Sequence, residues 1–182
     1  MLVRVFGLFL CLLVSPAVAG AGPDLKDLRI LDDVTATVNA SPHFTVFDDV
    51  SVSVDQGVVT LFGKVTMGYK RGELKKRVEA IAGVQTVVDQ LEVLPASSFD
   101  DQLRQQIARA IYGNANFWSY AVMRNPPIHI IVDRSRVTLT GLVRSEVDRR
   151  LAQALATQFN ALSVSNEIRT DVDMRNRRDP AY

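Results

Sequence analysis

Residues 52–65 read VSVDQGVVTLFGKV, and residues 130–143 read IIVDRSRVTLTGLV. The two stretches lie 78 residues apart and agree at seven of fourteen positions: Val54/Val132, Asp55/Asp133, Val59/Val137, Thr60/Thr138, Leu61/Leu139, Gly63/Gly141 and Val65/Val143. In the first, Val50, Val52 and Val54 alternate with Ser51 and Ser53, which is the pattern of a half-buried strand. Asp55-Gln56-Gly57 then reads as a hairpin turn, with Gly57 free to adopt positive φ. The return strand places Val59, Leu61 and Val65 on one face. A hairpin that recurs once at this spacing is the mark of a duplicated unit of about 70 residues, too long and too few for a solenoid.

The flanks of each hairpin repeat as well. In the first unit a helix is expected over 24–39, with Leu28, Leu31, Thr35 and Val38 on one face, and Ser41-Pro42 stops it. A second helix is expected over 68–82, with the stripe Leu74, Val78, Ile81 and Ala82, closed by Gly83. A strand over 86–93 follows. In the second unit Ser98 is read as the cap of a helix carrying Phe99, Leu103, Ile107 and Ile111, which Gly113 ends. Strands are expected at 128–132 and 137–143, a helix at 146–159 presenting Leu151, Leu155 and Phe159, and a last strand at 164–172. The fold class that follows is α+β: two tandem αββαβ units, each a three-stranded mixed sheet with both helices on one face. The linker Pro95-Ala96-Ser97 is short, so the units should touch. Each core is small, and contact between the units would support both.

The N-terminus has a separate logic. Residues 1–19, MLVRVFGLFLCLLVSPAVA, carry Arg4, an apolar run over 5–14 and an Ala17-Val18-Ala19 cleavage site, which together read as a secretory signal peptide. The run is short for a membrane span, which needs about 20 residues. Cys11 lies mid-run behind Phe9 and Leu10, not behind the small residues of a lipobox. The expected organisation is a signal peptide at 1–19, a first domain at 20–95, a second at 96–174 and a basic C-terminal tail at 175–182. The chain holds one cysteine, so neither a disulfide scaffold nor a Cys-rich zinc site is available.

The hairpin pattern V-x-V-D-x-G-x-V-T-L-x-G-x-V, followed by a charged helix and then by residues 83–93, GVQTVVDQLEV, resembles the BON domain, named for bacterial osmotically inducible and nodulation proteins. The second copy keeps Asp133, Val137-Thr138-Leu139, Gly141 and Val143. It departs at Ser135, where the first has Gly57, and at Ala161-Leu162, where Gly83-Val84 stood. The resemblance covers most of 24–173 and marks Gly57, Gly63, Gly83 and Gly141 as structural turn glycines. It implies a periplasmic envelope protein, without enzymatic activity or cofactor, that binds phospholipid membranes.

The remaining residues offer no competing chemistry. His43 and His129 lack the convergent partners a metal site needs; His43 reads as a loop residue and His129 as an exposed strand residue. No nucleophile elbow or phosphate loop is present. Asp32-Asp33 and Asp48-Asp49 are sequence neighbours that do not face each other, and they read as caps and solvated charges. Asp55 and Asp133 stand at turn starts, where an aspartate bonds its own backbone.

Charge divides the chain. Residues 20–95 hold 8 basic and 11 acidic residues, while 96–182 hold 12 basic and 9 acidic, and all twelve bases are arginine. The overall balance of 21 to 20 argues against nucleic acid as a partner. Arginine suits phosphate through paired hydrogen bonds. Three clusters stand out: Lys70/Arg71/Lys75/Lys76/Arg77, Arg144/Arg149/Arg150, and Arg175/Arg177/Arg178. Residues 114–127, NANFWSYAVMRNPP, are read as an extended loop in which Phe117, Tyr120 and Val122 cover the edge of the second core or the contact between domains and Trp118 points outward. Arg144, Arg149, Arg150, Trp118 and Arg124 are therefore the candidate residues for an anionic phospholipid surface. The alternative is an adaptor or chaperone-like protein that binds envelope proteins through sheet edges or the groove between domains.

Overall fold

The computed structural model describes residues 24–178. The signal-peptide reading at 1–19 and the final residues 179–182 lie outside that range. Helix α1 (Leu25–Asn39) starts at the N-cap Asp24, whose carboxylate accepts from the Lys26 amide. β1 (Asp49–Asp55) and β2 (Val58–Val65) form the hairpin, α2 (Gly68–Glu79) crosses back, and β3 (Thr86–Val93) completes the unit. β1 and β2 are antiparallel, and β2 and β3 are parallel, in the order β1-β2-β3. Ile30, Val34 and Val38 of α1 and Leu74 and Val78 of α2 bury against Val59, Leu61, Val65, Val87 and Leu91. The buried stripe of α1 is thus rotated from the expected one: Leu28 and Thr35 are exposed. In α2 the stripe is Lys70, Leu74 and Val78, and the helix stops short of Ala82.

The second unit repeats the order with α3 (Ser98–Tyr112), β4 (Ile128–Asp133), β5 (Arg136–Val143) and α5 (Glu146–Ala156), with a short α4 (Trp118–Ala121) inserted before β4. Ser97, not Ser98, is the cap of α3 and accepts from the Asp100 amide. Leu103, Ile107 and Ile111 are buried as expected, whereas Phe99 is exposed. In α5 the small residues Ala152 and Ala156 are fully buried and Leu151, Leu155 and Phe159 flank them, which brings α5 close to the sheet. The expected last strand is broken in two. β6 (Ser163–Asn166) and β7 (Arg169–Thr170) both pair in parallel with β5, and helix α6 (Asp171–Arg178) replaces the rest of the strand and the start of the tail. The break is held by Asn166, whose side-chain oxygen accepts from the Ile168 amide so that Ile168 enters the core.

The two hairpin turns are fixed from a distance. Gln56 and Gly57 both have positive φ, and their amides donate to Asp27 of α1 at 2.8 and 2.9 Å. Arg134 and Ser135 also have positive φ, 49° and 62°, and donate to Asp100 of α3 at 3.0 and 2.9 Å. A carboxylate one helical turn past each cap therefore grips the turn. This explains how Ser135 stands where the first copy has glycine, in a backbone region unfavourable to non-glycine residues. The turn-start Asp133 does not bond its own turn as expected; Lys64 Nζ donates to it at 2.9 Å.

Gly63 and Gly141 serve a different purpose from turns. Both lie mid-strand with φ of 122° and 115°. A Cβ at Gly63 would sit 2.2 Å from the Asp49 carbonyl oxygen, and one at Gly141 would sit 1.8 Å from that of Pro127. Only glycine admits this approach of the neighbouring strand.

The units are joined along the start of β1 and the outer side of β4. The Ile130 amide donates to the Val46 carbonyl at 2.7 Å, so the segment before β1 caps the edge of β4. Phe47 packs on the second core. His129 Nδ1 lies 2.6 Å from the Asp48 carbonyl, and since a carbonyl only accepts, Nδ1 carries the proton. The Phe44 ring lies 5.3 Å from the His129 ring. His129 is therefore 9% exposed, not the solvent-facing strand residue its alternation suggested, because the first unit covers that face. Arg124 and Asn125 add hydrogen bonds to Ala40 O and Asn39 Oδ1 at the end of α1.

Behind this contact lies a buried charge pair. Asp48 is fully buried and accepts from Lys70 Nζ at 2.6 Å, from the Thr45 amide and hydroxyl at 2.9 and 2.8 Å, and from the Thr66 amide and hydroxyl at 2.8 and 2.9 Å. Burial alone would raise its pKa. The hydrogen bonds from Lys70, Thr66 and Thr45 outweigh that and hold the carboxyl below the ordinary aspartate value. Asp48 is thus no solvated charge, and Lys70 leaves the surface basic cluster for the interior.

Candidate functional site

The stretch between α3 and β4 decides the shape of the candidate surface. It is not extended. A 3₁₀ turn at Ala115–Phe117 runs into α4. Asn114 caps the turn by accepting from the Asn116 amide at 3.0 Å. Helical spacing puts Phe117 and Tyr120 three residues apart on the inward side, where both are buried with their rings 6.1 Å apart. The same spacing turns Trp118 outward, 71% exposed, together with Val122.

Tyr120 ties α4 to the start of α5. Its hydroxyl accepts from the Arg144 amide at 3.0 Å and donates to Asp148 Oδ2 at 3.3 Å. The Arg144 guanidinium lies 5.6 Å from the centre of the Tyr120 ring, within cation–π range. Burial, chiefly, raises the Tyr120 pKa, so the phenol stays protonated. Ser145 caps α5 by accepting from the Asp148 amide. Val147, in the first turn of α5, is largely exposed.

The three arginines differ in availability. Arg149 embraces Glu146 through two nitrogens at 2.8 and 2.9 Å and lies 3.9 Å from Asp173. Arg150 Nε donates to the same Glu146 at 3.0 Å, although its side chain is 79% exposed. Hydrogen bonds from Arg150 and then Arg149 hold the Glu146 carboxyl below the usual range. The Arg144 guanidinium lies over the Tyr120 ring and makes no hydrogen bond or ion pair among the described residues, so it presents its charge most freely. Arg124 does not join this group; it bonds the first unit, as described above. Among the described residues, no three His, Cys, Asp or Glu side chains gather where they could hold a metal ion. No described helix is long and apolar enough to cross a membrane.

The order αββαβ, the hairpin and its strand glycine recur in both units. A family model of the BON domain matches the chain twice, over residues 26–95 and 99–171. The chain belongs to the BON-domain family. BON domains are generally non-enzymatic modules. Among curated proteins none matches the chain. Among solved structures it is similar to CdsD, a structural protein of the type III secretion system of Chlamydia trachomatis, at 13% identity over 85% of this chain and 99% of that one, with a TM-score of 0.30. The C-terminal domain of CdsD is matched at 13% identity over 78% of this chain and 96% of that one, with a TM-score of 0.28. Likenesses so distant say nothing about what this protein binds.

Two features of the second BON domain were beyond sequence reading. One is the exposure of Val147 in the first turn of α5. The other is the Tyr120–Asp148 link, whose members are 28 residues apart. The basic side chains of the first BON domain are mostly spent locally. Arg71 pairs with Asp89 at 3.0 Å, Arg77 with Glu73 at 2.9 Å and Lys75 with Glu79 at 3.7 Å.

Proposed function

We propose that this is an exported envelope protein, with residues 1–19 removed, that associates reversibly with anionic phospholipid surfaces through its second BON domain. The observation that carries the reading is Trp118. It is the only tryptophan of the chain, and it stands exposed on a turn whose other two aromatics are buried. An indole held out in this way suits the interface between headgroup and acyl chain. Val122 and Val147 widen the apolar contact, and Arg144 and Arg150 supply charge for lipid phosphate. Arg149, neutralised by Glu146, contributes least, and Arg124 contributes through the orientation of the domains.

Co-sedimentation of the mature chain with vesicles tests this. Binding is expected to anionic and not zwitterionic vesicles, and to weaken with salt. Arg144→Gln and Arg150→Gln should each remove about 1 kcal/mol, the contribution typical of a basic residue near an anionic surface. Arg149→Gln should have a smaller effect. Equal binding by Arg144→Gln/Arg150→Gln and the parent chain contradicts the assignment. No binding to any vesicle favours the second reading, an adaptor for envelope proteins, for which β3 at the free edge of the first sheet is a ready strand-pairing site.

A further inference from the structure

We propose that the cleft between the two BON domains binds a small hydroxylated anion, of the class of polyol phosphates and sugar acids. The cleft has a volume of about 400 Å³, enough for a ligand of monosaccharide size. Its floor is the open face of the second sheet, Ile131, Thr138 and Thr140. Its wall is the hairpin of the first domain at Asp49, Gly63 and Lys64. Neither domain forms it alone, and none of these residues belongs to the surface around Trp118.

The polar groups state what would fit. Lys64 occupies one carboxylate oxygen of Asp133, and the other, Oδ1, is buried with no hydrogen-bond partner. Thr140 Oγ1 is buried and unpartnered as well. Buried polar atoms seldom go unpaired, because they lose their bonds to water. The hydrogen bond from Lys64 first, and the charges of Lys64, Arg134 and Arg136, keep Asp133 ionised; its free oxygen and Thr140 Oγ1 lie beneath the cleft surface, and the acceptors that a ligand meets there are the carboxylates of Asp49 and Glu167, which make no hydrogen bond among the described residues. At the rim, the guanidinium groups of Arg134 and Arg136 make no hydrogen bond among the described residues. They call for an anion. Inorganic phosphate brings only one or two hydroxyls, fewer than a polyol phosphate offers to the carboxylates of Asp49 and Glu167. A neutral polyol would leave the arginines unused. A hydroxylated anion satisfies both sets.

The test is a calorimetric and amide-shift titration of the mature two-domain chain with glycerol 3-phosphate, and in parallel with glucuronate, inorganic phosphate and glycerol. Saturable binding of glycerol 3-phosphate or glucuronate is expected with a Kd of about 1 mM or tighter. Shifts should centre on residues 131–140 and 63–64. Inorganic phosphate and glycerol should bind at least about ten-fold more weakly. Arg136→Gln and Glu167→Gln should each weaken binding about ten-fold, with melting temperature and vesicle binding unchanged. The proposal is overturned if neither hydroxylated anion binds saturably, if inorganic phosphate matches them, or if both variants bind like the parent.

Discussion

Asp48→Ala is expected to destabilise the first domain by about 3–5 kcal/mol, the range for breaking a buried ion pair from one side. The substitution strips Lys70, a residue 7% exposed, of its carboxylate while its ammonium keeps its bond to Thr66 Oγ1, and it also removes the acceptor of the Thr45 and Thr66 amides and hydroxyls. A loss of this size is a large part of the stability of a small domain. Since the loop from Thr45 to Asp48 also supplies Val46, Phe47 and the carbonyl for His129, the contact between domains should loosen with it. Denaturant unfolding of the variant measures the first effect. Amide exchange at Ile130 measures the second. Asp48→Leu combined with Lys70→Met should recover much of the loss, because it removes the stranded charge along with its partner.

The same pair sets a pH dependence. The folded pKa of Asp48 lies below its unfolded value, so the group's contribution is complete above the ordinary aspartate value of about 3.9. It is lost as pH falls through the folded pKa. Melting temperature should therefore drop in acid more steeply for the parent chain than for the Asp48→Leu/Lys70→Met variant. Equal acid slopes would contradict the role given to the pair.

Gly141→Ala is expected to cost about as much, several kcal/mol, through a different cause. The added Cβ would meet the Pro127 oxygen at 1.8 Å, and φ of 115° is strained for any side chain. Backbone atoms on the facing strand cannot rotate away, so β4 and β5 must part. Gly63→Ala, with its closest approach at 2.2 Å, should behave alike in the first domain. Gly72→Ala provides the contrast. Nothing lies within 4 Å of its Cβ, and alanine is the better helix former, so a gain of about 0.5–1 kcal/mol is expected. Thermal unfolding of the three variants checks the order. A Gly141→Ala protein as stable as Gly72→Ala would overturn the close-approach reading.

These glycines also show where the sequence was informative. The repeated V-T-L-x-G carried the hairpins, because period-2 alternation and turn chemistry are local signals. The carboxylates of Asp27 and Asp100 were illegible as turn clamps, since each reaches a turn about 30 residues away and looks in sequence like any acid in a first helical turn. His129 was misread for a related reason. It lies on the polar side of its strand, and alternation alone cannot tell that another domain covers that side. Helix α4 has four residues, too few for a period to emerge, and an extended reading would have set Phe117 and Tyr120 on opposite faces; the helical turn is what brings both inward and turns Val122 out. The end of the chain failed by propensity. Val164 and Val172 suggested one strand, while Asn166 bends the backbone between them.

At the candidate site, the sequence supplied the residues but not their pairing. Arg144, Arg149 and Arg150 look equivalent as letters. Only the fold distinguishes the Arg149 fork on Glu146 from Arg144 lying over Tyr120. Trp118 was legible as an exposed aromatic because its neighbours had a core to fill.

Because Trp118 is the only tryptophan, its fluorescence reads the central claim directly. The mature chain should be titrated with anionic vesicles, some carrying acyl chains brominated near the headgroup. The account predicts a blue shift of the emission and quenching by the brominated lipid, both reversed by salt. Vesicle binding with unchanged emission, or no binding at all, would contradict the membrane surface assigned to the second BON domain.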